Sequence, residues 1–199
     1  MMQQNDRVAF AQRYIGNLCE VLQHLPFEKL AAAMEILEQA QSECRHIFLA
    51  GNGGSAATSS HMANDLVKVL ARDGRRGMGA IALTDSVPLI TSIANDDGYD
   101  EVFSRQLSEL GKAGDVLIVF SASGKSPNII RVVSQALQMG IKTIAFLGMG
   151  GGHVAAMADV SVIVPSDSYG PVEDAHLVFD HLITDYLRAR LTQPRMIPS

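Results

Sequence analysis

The sequence lacks the features that mark several large classes of protein. Its 199 residues include no tryptophan and only two cysteines, Cys19 and Cys44, whose spacing is not that of a metal site. Both cysteines lie in helical-looking segments, and we expect them to be reduced and buried. No apolar run is long enough to span a bilayer, and the polar start of the chain does not resemble a secretory signal. These absences favour a cytoplasmic protein.

Positive charge is also scarce in this chain. Lysine and arginine number 16 against 21 aspartate and glutamate residues, which gives a net charge of −5 and a pI near 5.6. A protein of this charge has no electrostatic footprint for nucleic acid or for an anionic membrane, and we expect neither as a partner. The length and the hydrophobic content of 47% suit one domain, spanning residues 1–199.

From residue 45 onward, short apolar runs alternate with stretches of helical periodicity. The predicted strands are Ile47–Ala50, Gly79–Leu83, Val116–Phe120, Thr143–Leu147 and Val160–Val164. The predicted helices are 56–70, 87–94, 100–110, 127–139, a short one near 152–157, and Val172–Leu191. This alternation indicates an α/β fold, with a parallel sheet whose two faces are covered by helices. Ligands bind beyond the carboxyl ends of such strands, so the residues that follow each strand are the candidates for a site.

Two helices precede this α/β core, at residues 5–24 and Phe27–Gln41, and Pro26 separates them. Both have apolar residues at helical spacing, and neither contains a group suited to catalysis. We therefore interpret residues 1–44 as a helical hairpin that packs on the domain, residues 45–199, or on another copy of the chain.

A glycine-rich turn, Gly51–Ser55, follows the first predicted strand. Its glycines allow a sharp turn and a close approach of the backbone to a ligand, and Ser55 is a good N-cap for the next helix. Free N–H groups and the helix dipole would then favour an anion such as phosphate. The dinucleotide fingerprint G-x-G-x-x-G is excluded, because its third glycine would fall at Ala56. A purely structural glycine loop is the alternative.

The third predicted strand leads into a second polar loop, Ser121–Pro127. Three hydroxyl groups, a glycine and a lysine lie close together in this loop, and Pro127 suits the first position of the following helix. We interpret it as a second anion site at a helix N-terminus, with a plain serine-rich cap as the alternative. It is not a Walker A loop, whose first glycine would fall at Val119. Two such sites at neighbouring strand ends favour a phosphorylated ligand.

Ionisable side chains recur near these loops. His61 and Asp65 are four residues apart and project from one face of the helix after the glycine turn, although an ordinary surface ion pair is the alternative. In the last helix, Glu173 and His181 are separated by about 12 Å if the helix is straight. One small ligand can touch both only if the helix start is bent or if the two side chains come from different subunits.

Together these motifs resemble the sugar isomerase (SIS) domain family. The resemblance rests on the glycine turn with His61, the pair Asn95 and Asp96, the serine loop, and the acidic helix that contains His181. It implies a flavodoxin-like three-layer α/β/α sandwich, a homotetramer with active sites at subunit boundaries, and aldose–ketose isomerisation of a phosphorylated sugar. Within the family it is greatest to the branch that acts on seven-carbon sugar phosphates. It implies no nucleotide or organic cofactor.

The resemblance also implies roles for individual residues. Asp65 and His181 match the residues that act as base and acid. Members of the family can bind a zinc ion, and the matching ligand positions are His61, Asp65, Glu173 and His181. The matching substrate-binding positions are Asn52, Gly53, Gly54, Ser55, Asp65, Asn95, Asp96, Ser121, Ala122, Ser123, Ser126 and Glu173.

Three positions depart from the family pattern. Asp65 stands where glutamate is usual, Glu173 stands where glutamine is usual, and Tyr169–Asp174 replaces a run that contains an arginine. These changes affect the choice of substrate more than the fold. The rival interpretations are a non-catalytic member that binds a phosphosugar or a replication-initiator protein, and an isomerase of another phosphosugar. The ionisable pair at Asp65 and His181 favours catalysis.

Overall fold

Residues 4–71 and 76–192 are described by the structure, a computed structural model. The predicted domain limits at residues 1 and 199, and the first residues of the polar start, lie outside these ranges. The α-helices are α1 (Gln4–Gln23), α2 (Phe27–Ser42), α3 (Gly54–Asn64), α4 (Val87–Asp96), α5 (Ser104–Leu110), α6 (Pro127–Met139) and α7 (Tyr169–Thr192). The strands are β1 (His46–Gly51), β2 (Gly79–Ala82), β3 (Val116–Ser121), β4 (Lys142–Leu147) and β5 (Val160–Ile163).

The strands form one parallel sheet in the order β2-β1-β3-β4-β5. β1 and β3 are neighbours, and their register pairs Gly51 with Phe120 near their carboxyl ends. The order of winding reverses between these two strands, which is the place where ligands bind in open α/β sheets. The predicted α/β fold and all five predicted strands are confirmed.

Helices cover both faces of the sheet and complete the three layers. Successive strand residues point to opposite faces, so Leu49 joins one core while Phe48 and Ala50 join the other. The first core is closed by α2, α3, α7 and the last turn of α1, and the second by α4, α5 and α6. Every residue of β3 is buried, as expected for a strand that is covered on both sides.

The start of α3 differs from the prediction. The helix begins at Gly54, because Gly53 takes a positive φ of 56° and turns the chain into the helix before Ser55 is reached. Ser55 is therefore buried within the first turn, and its prediction as N-cap is wrong. The predicted helix 56–70 also changes type near its end, where Asp65–Val69 forms a single π-helical turn.

Two other helical predictions need correction. The last helix begins at Tyr169 and not at Val172, and it accommodates Pro171 because a residue in the first turn needs no N–H partner within the helix. The predicted short helix near 152–157 consists of two 3₁₀ turns, Met149–Gly151 and Val154–Ala156.

The cysteines are free, as predicted, but both are exposed and not buried. Cys19 lies on an exposed side of α1, and Cys44 lies in the turn after α2 at a positive φ of 55°. Helical periodicity alone suggested burial for both. The error arises because much of the apolar stripe of α1 has no partner within the described part of the chain.

That stripe forms an exposed apolar face on α1. Val8, Phe10 and Ile15 are 54%, 58% and 57% exposed, and Tyr14 lies beside them. α1 contacts α7, where the Tyr14 hydroxyl donates a hydrogen bond of 2.6 Å to Asp174. None of the described helices is long and apolar enough to cross a bilayer.

A histidine lies in the core beneath the serine loop. His176 of α7 is 1% exposed, and its ring centroid is 5.6 Å from that of Phe120 and 6.1 Å from that of Phe179. Burial lowers the pKa of His176 from 6.5 to about 4, with a weak opposing effect from the backbone of Leu147. The unfolded chain therefore binds a proton more readily than the folded chain between these two values. The contribution of the neutral His176 to the free energy of unfolding is fully present above pH 6.5, and it is lost as the pH falls towards about 4.

We expect His176→Leu to reduce the acid sensitivity of the fold. In the wild type, this histidine alone should lower the free energy of unfolding by about 2 kcal/mol between roughly pH 7 and pH 5, and leucine cannot take up the proton. Urea unfolding at the two pH values measures the effect, with the exposed His24→Leu as the matched control. Equal acid sensitivity of the wild type and His176→Leu would contradict the prediction.

Candidate active site

The glycine turn and the serine loop meet at the carboxyl ends of β1 and β3. Together with the start of α7 they enclose a cavity of about 130 Å³. The cavity brings together seven of the predicted substrate-binding residues and adds an aromatic residue from the end of β3 and one from the start of α7. The lining residues are Asn52, Ser55, Phe120, Ser121, Ala122, Ser123, Ser126, Tyr169 and Glu173.

The serine loop presents ordered hydroxyl groups to this cavity. Ser121 accepts a hydrogen bond of 3.1 Å from the N–H of Gly124, and Ser123 accepts one of 3.3 Å from the N–H of Lys125. Each hydroxyl keeps its own proton for a ligand oxygen. Ser126 is the N-cap residue of α6, but its side chain makes no capping hydrogen bond and is free to serve the cavity.

Glycine is required at one position of this loop. Gly124 has a φ of 59°, and a Cβ atom there would lie 2.0 Å from the carbonyl oxygen of Gly151. The loop therefore packs backbone against backbone, which fixes the hydroxyl groups on its other side. This close packing supports the interpretation of the segment as a built anion site at the start of α6.

The charges around the cavity favour the serine loop over the glycine turn as the phosphate site. The carboxylate of Glu173 lies against the first turn of α3, where a Cβ atom on Gly54 would be 2.8 Å from Oε2. The helix dipole favours this negative charge, but a phosphate placed at the same turn would be repelled by it. None of the described residues that line the cavity is cationic, so hydroxyl groups and the N-terminal N–H groups of α6 are the available donors.

An amide pair orients the asparagine of the glycine turn. Asn52 and Asn128 exchange two hydrogen bonds of 2.9 and 2.8 Å, and the Tyr99 hydroxyl donates a third, of 3.1 Å, to Asn52 Oδ1. Asn128 is 1% exposed, which makes this arrangement rigid. The sequence analysis missed Asn128 and Tyr99, because an asparagine after a helix-starting proline has no distinctive pattern.

Two predicted substrate-binding residues lie elsewhere in the chain fold. Asn95 and Asp96 are exposed at the end of α4, joined by a hydrogen bond of 2.8 Å, and neither lines the cavity. The segment after α4 does reach the glycine turn, because the Tyr99 hydroxyl donates its hydrogen bond to Asn52. Within one chain, the structure does not bring Asn95 and Asp96 to the serine loop.

A cluster of histidines and carboxylates lies farther along α3 and α7. It comprises His61 and Asp65, together with Asp180 and His181, and one ligand atom from each lies within 4.8 Å of the others. The Nε2 atoms of His61 and His181 are 3.5 Å apart, and His61 Nε2 lies 3.8 Å from Asp65 and 4.0 Å from Asp180. Nitrogen and carboxylate oxygen donors at such distances could hold a divalent metal ion.

Asp180 is the buried member of this cluster. Its side chain is 0% exposed, and neither oxygen has a hydrogen-bond partner of standard geometry. The pKa of Asp180 is raised to about 6, chiefly by burial and then by the charge of Asp65, against the opposing effects of His61, His181 and the Thr184 hydroxyl. The sequence analysis missed this residue, which stands directly before His181.

Glu173 is not part of the cluster. It meets Gly54 near the start of α3, while His61 and His181 meet farther along the same two helices. The separation of Glu173 from His181 along α7 is about 12 Å. One chain therefore places Glu173 with the phosphate cavity and assembles the cluster from the other three predicted metal ligands plus Asp180.

The SIS domain family model matches residues 12–148, which is more than half of the chain. The chain belongs to the SIS domain family.

Curated members of this family resemble the chain over most of its length. It is 46% identical over 144 residues to a phosphoheptose isomerase of Sulfurimonas denitrificans, covering 72% of this chain and 73% of that protein. It is 39% identical over 163 residues to a phosphoheptose isomerase of Geotalea daltonii, covering 82% and 84%. The solved structure of a phosphoheptose isomerase from Neisseria gonorrhoeae matches with a TM-score of 0.85 and 33% identity, over 94% of this chain and 100% of the other. The predicted membership of the family is confirmed.

We expect Ser123→Ala to weaken the binding of a sugar phosphate by roughly tenfold or more, because one hydrogen bond to a charged oxygen is lost. The melting temperature should change little, since the side chain accepts only one long hydrogen bond from Lys125. Isothermal titration calorimetry measures the affinity. Ser108→Ala is the matched control, since Ser108 is a half-buried serine of α5 that does not line the cavity. An unchanged dissociation constant for Ser123→Ala would remove this residue from the phosphate site.

Proposed function

We propose that the protein is an aldose–ketose isomerase that converts sedoheptulose 7-phosphate into D-glycero-D-manno-heptose 7-phosphate. This product would feed nucleotide-activated heptose for lipopolysaccharide, capsule or other surface glycans. The observation that carries the proposal is the pairing of a hydroxyl-lined anion cavity with an ionisable cluster, in a chain whose relatives are named phosphoheptose isomerases.

The spacing of the two sites supports a long sugar phosphate. Gly54 with Glu173 marks one end of the α3–α7 pair, and His61 with His181 marks the other, at a distance of about 10–12 Å along the helices. A substrate with its phosphate in the serine loop would need several carbon atoms to bring its carbonyl group towards the cluster. This requirement favours a heptose phosphate over a shorter phosphosugar as substrate.

In the proposed reaction, Asp65 acts as the base. Its carboxylate removes the proton from the carbon next to the carbonyl group, and the C–H electron pair forms the double bond of a cis-enediol. His181 donates a proton to the carbonyl oxygen, which receives the electron pair of the former C=O bond. Asp65 then returns a proton to the former carbonyl carbon, which the electron pair of the C=C bond binds. His181 removes the proton from the hydroxyl group of the first carbon, and the O–H electron pair forms the new carbonyl group there. The Asp65 side chain is 13% exposed, so it remains accessible for this transfer.

The cluster also fits the zinc ion that we propose as cofactor, one per subunit. Two imidazoles and carboxylate oxygens are donors that zinc accepts, and neither oxygen of the buried Asp180 has a hydrogen-bond partner of standard geometry. His61, Asp65 and His181 would hold the ion. When bound, zinc supplies Lewis-acid chemistry that polarises a carbonyl and stabilises negative charge on its oxygen. No nucleotide or organic cofactor is part of the proposal.

We further propose a homotetramer in the cytoplasm, with residues 1–44 as its interface helices and residues 45–199 as the catalytic core. The exposed apolar face of α1 supports this assembly. A subunit boundary at the site would also explain why Asn95 and Asp96 lie apart from the cavity within one chain. A non-catalytic binding role is not favoured, because Asp65 and His181 lie together in the cluster.

We expect purified protein to form the aldose from sedoheptulose 7-phosphate, and Asp65→Asn to reduce the rate by about 100-fold or more, which is typical for loss of a general base. Exchange of solvent deuterium into the substrate should fall in parallel, because the amide cannot remove the proton. Asp65→Glu, which keeps the carboxylate, should retain activity.

The matched control for this experiment is Asp185→Asn, an exposed position of α7 that pairs with Arg188. Undiminished deuterium exchange in Asp65→Asn would show that another group is the base. Absence of turnover in the wild type, with tight binding of the sugar phosphate, would instead support the non-catalytic alternative.

We expect Ile15→Glu to dissociate the tetramer, because it places a charge in the apolar face of α1. Sedimentation velocity at micromolar concentration measures the change. Leu137→Glu is the matched control, since Leu137 is 47% exposed on α6 and distant from that face. A monomeric wild type with full activity would rule out the proposed assembly.

A further inference from the structure

The side chain that most needs an explanation is Asp180. A carboxylate that is 0% exposed and lacks a hydrogen-bond partner pays a large desolvation penalty unless a cation or a proton compensates it. Its Oδ2 atom lies 4.0 Å from His61 Nε2, so the carboxylate is directed at the cluster. Because the side chain is fully buried, a cation held by the cluster is the partner that its position favours.

The distances within the cluster match those between ligands of one ion. Two donors bound tetrahedrally to zinc at about 2.1 Å are separated by roughly 3.4 Å. The separations of His61 Nε2 from His181, Asp65 and Asp180 are 3.5, 3.8 and 4.0 Å. Small rotations of the side chains would therefore bring all four donors onto one ion. Asp180 completes such a set without a contribution from any other subunit.

Glu173 has a different environment. Its carboxylate lies against Gly54 and lines the phosphate cavity, where its position depends on the absence of a Cβ atom on that glycine. About two turns of α7 separate it from His181. Its contacts therefore assign it to the ligand cavity, although the family resemblance matches it with a metal position.

We infer that Asp180, and not Glu173, is the fourth protein ligand of the metal ion. Asp180 then supplies a buried carboxylate to the ion, and Asp65 is the more accessible carboxylate of the cluster. Glu173 faces the ligand cavity, where its carboxylate can accept hydrogen bonds from sugar hydroxyl groups. The inference rests on the proposal that this cluster binds a divalent ion, and it does not depend on which sugar is isomerised.

The test is the binding of zinc to metal-free protein. Isothermal titration calorimetry measures the affinity, and metal analysis after dialysis measures the amount bound. Asp180→Asn and Glu173→Gln are a matched pair, since each replaces one carboxylate by its isosteric amide. Asp180→Asn should weaken zinc binding by at least about 100-fold, beyond the roughly 10–100-fold cost of losing an outer-shell partner. Glu173→Gln should bind zinc as the wild type does.

A second measurement covers the case in which Asp180→Asn alters folding. Zinc should raise the melting temperature of the wild type and of Glu173→Gln, because it binds the folded state, and should not raise that of Asp180→Asn. In metal-free protein Asp180→Asn should be at least as stable as the wild type, since it removes an uncompensated buried charge.

Loss of binding in Glu173→Gln with full binding in Asp180→Asn would overturn the inference and leave the proposed metal site in place. A wild type that binds no zinc would overturn both, whatever its activity on sedoheptulose 7-phosphate. Because the readouts use zinc alone, failure of the proposed isomerase activity is recognised separately, in the turnover assay.

Discussion

The side-by-side packing of α3 and α7 is the contact on which the site depends. Both helices start at the carboxyl edge of the sheet and run away from it in the same direction, so residues at equal depth face each other. The missing side chain of Gly54 sets their separation at one end, and the two histidines, His61 and His181, meet at the other. A shift of either helix would disturb the anion cavity and the ionisable cluster together.

The stability of the sheet and its two cores supports this arrangement of α3 and α7. Two hydrophobic cores, one on each face, fix the strand ends from which both helices begin. Against that rigid support the chain tolerates two unfavourable groups on α7, the buried neutral His176 and the buried carboxylate of Asp180. Desolvation of these groups weakens the fold, and apolar burial at about 25 cal/mol per Å² offsets it.

The sequence predicted what depends on local pattern and on parallel topology. β3 is a continuous apolar run because it is covered on both faces, and the serine loop follows it to the same edge as the glycine turn. The sequence did not predict Asp180, because its inward direction depends on how α7 faces α3. Cys19 was misplaced for a similar reason: the periodicity of α1 marks an apolar face but does not say what covers it. Glu173 was grouped with the cluster by resemblance, whereas the contacts within one chain place it beside Gly54.

The π-helical turn at Asp65–Val69 makes the length of this segment a means of tuning the site. Its hydrogen bonds span one residue more than those of an α-helix, so the turn holds an extra residue and changes the phase of the side chains that follow. The carbonyl of Leu66 is bonded to the N–H of Met78, which anchors the turn to the chain returning towards β2. Deletion of a single residue after Asp65 would restore the α-helical phase and turn the buried Leu70 relative to Asp65. An insertion or deletion in this turn would thus change how the chain packs directly after the proposed base, without any change in the identity of the site residues.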